Sequence, residues 1–568
     1  MPLTILIFVP LLGAAAVLLQ SDERTIWSSA FIFSLIPLAL SFYLFAAFAP
    51  HQAGYQFVEQ YQWIPQFGIS YHLGIDGISL LLVLLTTILI TLSLLYSGGG
   101  DIEMRPREFC FLMLFLESGL LGTFLALDLF LFYVFWEAML VPMYFLIGIW
   151  GHGRKIYATF KFVLFTMLGS LLMLVAIIYL ARAAHTSLGY VTFDLADLYK
   201  VTLSPTEARW LFAGFAIAFA VKVPLWPLHT WLPDAHTEAP TAGSVILAGV
   251  MLKAGVYGFI RFAIPLFPSV AVEAIPLFMA LAVVGIIYGA LVAMVQPDLK
   301  RLVAYSSVSH LGFVILGIFA FDPQGVEGAV YQMLNHGVST GALFLLVGML
   351  YLRRHTREIA DFGGLWSSVP IYSGIFMVVM LSSIGLPGLN GFVGEFLILL
   401  GAYLSLKIAV YFAVTGLVLG ALYMMWAYER VMWGPLTKAV NVTIADLSGR
   451  EIAVMVPLLA LMFFMGLYPR PLLTRMQPSV DALLARVHSA QAPLDRSHRR
   501  AVAASALRSD TFLAFSPPFA RFTSLPLARV LSVPLPLCCG RGMRVTAGEG
   551  SDPPRAAHGP WPENAAAK

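Results

Sequence analysis

The chain has 568 residues, of which 59% are hydrophobic and 11% charged, with a mean hydropathy of +0.83. A soluble domain carries about 25% charged residues, so this composition excludes a soluble protein and predicts a polytopic membrane protein in contact with the lipid bilayer. The net charge of +3 is concentrated after Asp495 and leaves the remainder close to neutral, so no basic face exists to hold nucleic acid.

Each membrane crossing needs about 20 mainly apolar residues. On that basis the chain predicts about fourteen segments, centred near residues 11, 37, 85, 118, 139, 170, 220, 251, 285, 311, 340, 385, 418 and 461. The first, Leu3 to Leu19, has no positive flank and reads as a span, not a cleaved signal. Asp76, in YHLGIDGISLLLVLL, opens the third and is expected to face outer water. Glu137 lies midway through LFLFYVFWEAMLVPMYFLIGIW, among aromatic and aliphatic neighbours.

The seventh segment, AFAVKVPLWPLHTW, is broken. Pro224 removes a backbone donor two residues after Lys222. A charge beside a break at membrane depth marks an ion or proton pathway by default. Glu137 is the nearest candidate counter-ion, and the plain alternative is a static pair that locks two helices. His229, Asp234 and His236 follow in PLHTWLPDAHTEAPTAGS, where they form a polar turn or connect to the cytoplasm. Lys253, in TAGSVILAGVMLKAGVYGFIRF, falls near the bilayer centre, about 12 residues after Thr241. No residue of its own helix neutralises it, so its partner must come from another.

His310, in AYSSVSHLGFVILG, and His336, in YQMLNHGVSTGALFLL, occupy consecutive spans. Either passes a proton at near-neutral pH or simply packs. Ser306, Ser307, Ser309, Asn335, Ser339 and Thr340 are placed to hold water beside them. The twelfth segment, LSSIGLPGLNGFVGEFLIL, carries Gly385, Pro387, Gly388, Gly391 and Gly394, and then Glu395. It is a second break with a second ionisable group. Glu117, Asp128 and Lys161 are weaker candidates.

Two broken segments five apart suggest inverted five-helix repeats, because an odd number of crossings reverses the chain. The predicted organisation is residues 1–100 for three N-terminal helices, 101–265 and 266–435 for the two repeats, 436–486 for the last helix, and 487–568 for a disordered or atypical tail rich in Pro, Arg, Ser and Gly. Arg24, Arg105, Arg107, Arg154, Lys155, Lys300, Arg301, Arg353, Arg354, Arg357, Arg430, Lys438 and Arg450 share one side. Arg182, Lys200, Arg209, Arg261, Lys407 and Arg470 share the other, and the loop from His51 to His72 has neither Lys nor Arg. The richer side should be cytoplasmic, with both termini outside.

Cys110, Cys538 and Cys539 form no C-x-x-C pair, no Cys/His cluster has metal spacing, and no Gly-rich phosphate loop follows a strand. No cofactor or metal is expected in this chain.

The runs LGIDGISLLLVLL, FYVFWEAMLVPMYFLIGIWG, FAVKVPLWPLHTWLPDAHTEAPTAGSVILAGVMLKAGVYGFIRF, QPDLKRLVAYSSVSHLGFVILG and GLPGLNGFVGEFLIL closely resemble the antiporter-like membrane subunits of bacterial respiratory complex I, the proton-translocating NADH-quinone oxidoreductase. The match is to the chain M branch, counterpart of mitochondrial NADH dehydrogenase subunit 4, over roughly residues 1–485. The resemblance implies an all-α fold of fourteen core helices, inverted repeats and broken helices 7 and 12. It implies that Glu137 and Lys222 form a first-half pair, that Lys253 is the central relay, that His310 and His336 connect onward, and that Glu395 is the second-half terminal group. Glutamate at 395 favours this branch over its relatives, which carry lysine there. The long lateral helix of chain L has no counterpart here.

The resemblance further implies a bacterial inner membrane location and neighbouring antiporter-like chains as partners. NADH, FMN, iron–sulfur clusters and quinone would belong to partner subunits. The alternatives are a subunit of a multisubunit sodium/proton antiporter, and a pure membrane scaffold.

Overall fold

A computed structural model describes residues 1–513, with side chains to residue 491. Eleven helices among the described residues are long and apolar enough to cross a membrane, and three shorter apolar helices, Pro2–Leu18, Pro370–Ser383 and Asn390–Ser405, accompany them. Every predicted segment centre falls in a helix or in the interruption of one. Acidic and hydroxyl residues ahead of the apolar runs set where helices begin. Asp76 accepts from the backbone N–H groups of Ile78 and Ser79 and opens Gly77–Ser97. Asp128, Asp298 and Asp322 do the same for later helices, and Ser204 with Glu207 forms a reciprocal cap on Pro205–Lys222.

One departure from an all-helical reading is a hairpin. Strands Gln56–Ile64 and Ile69–Ile75 pair antiparallel in the loop that lacks Lys and Arg. Pro65 starts the turn and Gly68, at φ +67°, closes it.

Both breaks are built alike. In the first, Pro205–Lys222 stops and Trp231–Glu238 resumes. Val223 N–H donates to the Phe219 carbonyl at 2.8 Å and Leu225 N–H to Ala220 at 2.9 Å. In the second, Ile384 N–H donates to Met380 at 3.0 Å and Leu386 N–H to Leu381 at 3.1 Å. These pairs are separated by one constant number of residues. On that register Lys222 corresponds to Ser383, and Glu395 corresponds to Asp234.

A second set of bonds repeats as well. Leu129 N–H donates to Phe193 O and Leu195 N–H to Leu127 O in one half. Leu299 N–H donates to Arg357 O and Ile359 N–H to Pro297 O in the other. Shared backbone bonds at matched places support an internal repeat, independent of the side chains that line it.

A second departure lies at the C-terminal end. The last long apolar helix, Gly449–Leu467, ends at Tyr468, and a new helix, Arg470–Leu513, begins two residues later. Residues 487–513, expected in the disordered tail, are helical instead, because Ala, Leu and Arg favour helix even where no apolar length suits a bilayer. The rest of the expected tail lies outside the described residues. Up to residue 486 this helix lies across other elements: Gly77 N–H donates to Ser479 Oγ, Arg475 reaches the Phe45 carbonyl, and Arg486 reaches those of Pro265 and Tyr199.

Candidate functional site: a polar line through the helices

The helix Thr241–Leu266 is buried from Thr241 to Pro265 and carries Lys253 near its middle. It is not regular. Leu247–Met251 and Phe259–Ala263 are π-helical turns on either side of Lys253. A π turn leaves carbonyls free of their usual partners and is found mostly where function needs it. Here the Ala248 carbonyl, five residues back, accepts from Lys253 Nζ at 2.5 Å. The partner from another helix is His336, whose Nδ1 lies 2.6 Å from the same nitrogen.

From His336 the line continues. The His336 and His310 rings have centroids 5.8 Å apart. His310 Nδ1 lies 3.2 Å from Glu395 Oε1. That carboxylate oxygen also accepts from Gln332 Nε2 at 3.0 Å, and Asn335 Nδ2 donates to Gln332 Oε1. Lys253, His336, His310 and Glu395 are therefore assembled in series from four helices, all buried. His336 Nε2 and His310 Nε2 have no hydrogen-bond partner among the described residues.

A cavity of about 10 Å³ lies against this line, bounded by His310, Gln332, Asn335, His336, Ser339 and Ser382 among others. That is room for roughly one water molecule. Ser339 and Ser382 hydroxyls meet at 2.7 Å, and Asn390 binds both. Asn335, Ser339 and Thr340 were legible as hydration partners in the sequence. Gln332, Ser382 and Asn390 were not. The available signal was the spacing 332, 335, 336, 339, which puts four polar groups on one helix face.

The first half is arranged differently. Lys222 is buried, 2% exposed, at the last turn before the break. Its Nζ stands 5.1 Å from the centre of the Trp136 ring and 5.9 Å from Phe162. Both aromatic faces attract a cation. Glu137 is within electrostatic range of Lys222, yet no nitrogen–oxygen approach within 4.0 Å joins them. Glu137 Oε1 has no hydrogen-bond partner among the described residues. The break is held open partly by Trp231, whose indole Nε1 donates to the Val221 carbonyl at 2.9 Å. Gly255, on the Lys253 helix, has no room for a side chain against Phe219 and Val223, so the two lysine-bearing helices meet backbone to backbone here.

The weaker candidates divide. Asp128 is a helix cap that also accepts from Ser70 N–H. Lys161 and Asp234 form an ion pair at 2.7 Å. Glu117 is fully buried, and both its oxygens lack partners. His236 is fully buried, stacked on Phe344 at 4.9 Å, with neither ring nitrogen partnered. Asp76, expected to face water, is buried and ion-paired to Arg261 Nη2 at 2.6 Å. Arg261 and Lys300, counted on opposite sides of the membrane from the sequence, are buried on helices as well. No cluster of three or more His, Cys, Asp or Glu suited to a metal occurs among the described residues.

Known proteins share much of this chain's sequence and fold. Residues 126–420 match the family model described as NADH:quinone oxidoreductase/Mrp antiporter, TM. The chain is 46% identical over 501 residues to the NADH-quinone oxidoreductase subunit M of Rhodobacter capsulatus, covering 86% of this chain and 97% of that protein. It is similar to a chain in the structure of respiratory complex I from Thermus thermophilus with bound NADH, with TM-score 0.77, 35% identity, and coverage of 86% of this chain and all of that one. A chain of the Mrp complex from Dietzia sp. DQ12-45-1b shares the fold at TM-score 0.76 and 22% identity, over 86% of this chain and 98% of that one. A polar line buried in interrupted helices, with a likeness that spans nearly the full length of its relatives, places this chain in the NADH:quinone oxidoreductase/Mrp antiporter transmembrane family.

Proposed function

We propose that the chain is a proton-translocating membrane-arm subunit of a bacterial NADH-quinone oxidoreductase. The observation that carries this reading is the series Lys253, His336, His310, Glu395, in direct contact or ring to ring from the central helix to the second break. Groups that exchange protons stand where no water phase reaches them, and a buried file of that kind serves charge movement. In this reading Glu137 and Lys222 load the line, Lys253 relays, His310 and His336 conduct, and Glu395 releases.

Electron transfer from NADH to quinone, with FMN and iron–sulfur clusters, belongs to partner subunits, and the drive arrives through neighbouring antiporter-like chains. A charge change beside Glu137 alters the balance on Lys222, and each later group responds to the one before it. Moving one charge against 100 mV costs about 2.3 kcal/mol, so each step needs only a modest shift in local electrostatics. Residues 101–265 and 266–435 form the two inverted repeats. The chain sits in the inner membrane, with both termini on the outer side.

The sodium/proton antiporter reading shares the fold but lacks the close, full-length likeness to a redox-linked relative. The decisive experiment measures proton pumping in membrane vesicles carrying Lys222→Ala, with subunit content checked. Loss of pumping in a fully assembled complex is expected. Normal pumping would sink the mechanism and leave a scaffold.

A further inference from the structure

A polar cavity lies away from the line, beneath the helix that begins at Arg470. Its volume is about 220 Å³, and its walls are the end of the Lys253 helix, the start of Gly77–Ser97, the loop ahead of the hairpin and the C-terminal helix. One water needs about 10–15 Å³, so there is room for a much larger group. Gly54 and Ala482, which line it, are exposed. The helix over it is two-faced. Leu472, Met476, Val480 and Leu484 are buried, while Gln477, Asp481 and His488 are exposed. That pattern suits a helix lying in the plane of a membrane surface, which puts the cavity at the depth of lipid headgroups.

The charged side chains that line it are Arg261, Arg486 and Asp76. Two guanidinium groups against one carboxylate leave one positive charge over. Arg261 is only 8% exposed. Its Nε donates to the Tyr257 hydroxyl at 3.0 Å and its Nη1 to the Tyr55 hydroxyl at 2.8 Å. Its Nη2 lies 2.6 Å from Asp76 Oδ2 but is not aligned to donate to it, and has no hydrogen-bond partner among the described residues. Arg486 uses Nε and Nη2 on the Pro265 and Tyr199 carbonyls and rests 4.0 Å from the centre of the Tyr199 ring, which leaves Nη1 over. The Tyr55 hydroxyl accepts from Arg261 and the Ser479 hydroxyl from Gly77 N–H, and each keeps a proton to donate. Surplus positive charge and surplus donors therefore share one cavity.

We propose that this cavity binds the phosphate group of an anionic phospholipid and that the bound phosphate ties the C-terminal helix to the Lys253 helix. A phosphodiester carries one negative charge, which matches the surplus. Its two free oxygens suit guanidinium forks, which pair with phosphate more strongly than with neutral acceptors. Arg261 stands on the same helix as Lys253, and Arg486 on the helix that crosses over it, so one ligand reaches both. A free phosphate offers the same oxygens, and the depth of the cavity favours the lipid. The site is separate from the proton line and does not depend on it.

The test follows hydrogen exchange over residues 470–486 in the intact complex, stripped of lipid in detergent. Phosphatidylglycerol should slow exchange there, and diacylglycerol, which lacks the phosphate, should not. Arg486→Gln removes a charged donor, so the phosphatidylglycerol concentration giving half the effect should rise about tenfold. Ala482→Trp fills the rim, leaves both arginines in place and should weaken the effect as much, so it decides the matter if Arg486→Gln fails to assemble. Inorganic phosphate separates the sources. Protection by phosphatidylglycerol alone assigns the cavity to lipid, whereas protection by inorganic phosphate alone, lost in both variants, keeps the anion site and removes the lipid. Exchange that neither probe changes in the wild type, or equal protection in the wild type and Ala482→Trp, would overturn the site. A segment already protected in the stripped complex and indifferent to both probes would show that a neighbouring chain fills the cavity, and would overturn it too.

Discussion

The two breaks share their backbone hydrogen bonds and differ in their wiring. Matching hydrogen bonds shape both breaks, yet Lys222 in the first corresponds to a serine in the second, and Glu395 in the second corresponds to Asp234 in the first. In the second half the ionisable groups touch, through His310 and Glu395 at 3.2 Å. In the first, Glu137 and Lys222 stand apart, and the lysine rests against aromatic rings. Contact suits conduction. A gap suits switching, since a pair that is not locked responds to a neighbour's charge. The two breaks therefore share a backbone pattern and differ in the side chains set on it.

The largest test of this contrast compares Glu395→Gln with Glu137→Gln. Glu395→Gln removes the acid to which His310 and Gln332 point, and should lower pumping about 100-fold, near the size of a lost acid–base group. Glu137→Gln should lower it less, by about tenfold, because Lys222 keeps its aromatic surroundings. Equal losses, measured in vesicles with matched subunit content, would show that the gap has no mechanistic meaning.

Gly385→Ala probes the second break. Gly385 sits at φ +75°, and an added Cβ would lie 2.6 Å from Glu395 Oε2. The left-handed backbone alone costs about 1–2 kcal/mol, and the carboxylate must move. Reduced thermal stability together with reduced pumping is expected. Trp231→Phe probes the first break, where it deletes the bond to the Val221 carbonyl. A cost of about 1 kcal/mol, read as a lower melting temperature with pumping largely kept, would show that the break tolerates loosening. Abolished pumping would show that the indole also orders Lys222.

The smallest effect concerns a loop within the first half, between Leu140–Trp150 and Lys155–Leu188. His152 is pushed down from the usual 6.5 to about 4 by burial, with Lys300 and Arg357 adding repulsion. A depressed histidine contributes stability above pH 6.5 that is lost as pH falls toward 4. His152→Gln should flatten the fall in melting temperature over that window, and an unchanged slope would remove His152 as its source.

Much of this was legible in the sequence, and the limits have physical causes. Apolar run length located the helices, and Pro and Gly located both breaks, because bilayer thickness and backbone sterics act locally. The need for a partner to Lys253 was readable, but not its identity, since His336 is brought to it only by packing. Gln332 and Asn390 escaped notice because an amide in a transmembrane helix resembles ordinary packing until a carboxylate is found beside it. The burial of Lys300 was not readable, because its partner, the Ala239 carbonyl, is distant in the chain. The hairpin from Gln56 to Ile75 hid in a stretch whose alternation is short.

The cavity of about 10 Å³ beside His310 and His336 bears on ion selectivity. A sodium ion with its shell of waters is larger than a space for roughly one water, so it would have to shed that shell to enter. A proton needs no such room, because it advances by exchange of hydrogen bonds. On this hypothesis the narrowness of the second half is its filter, and replacing sodium by potassium in the vesicle medium should leave pumping unchanged. A sodium requirement would show that this space opens during turnover.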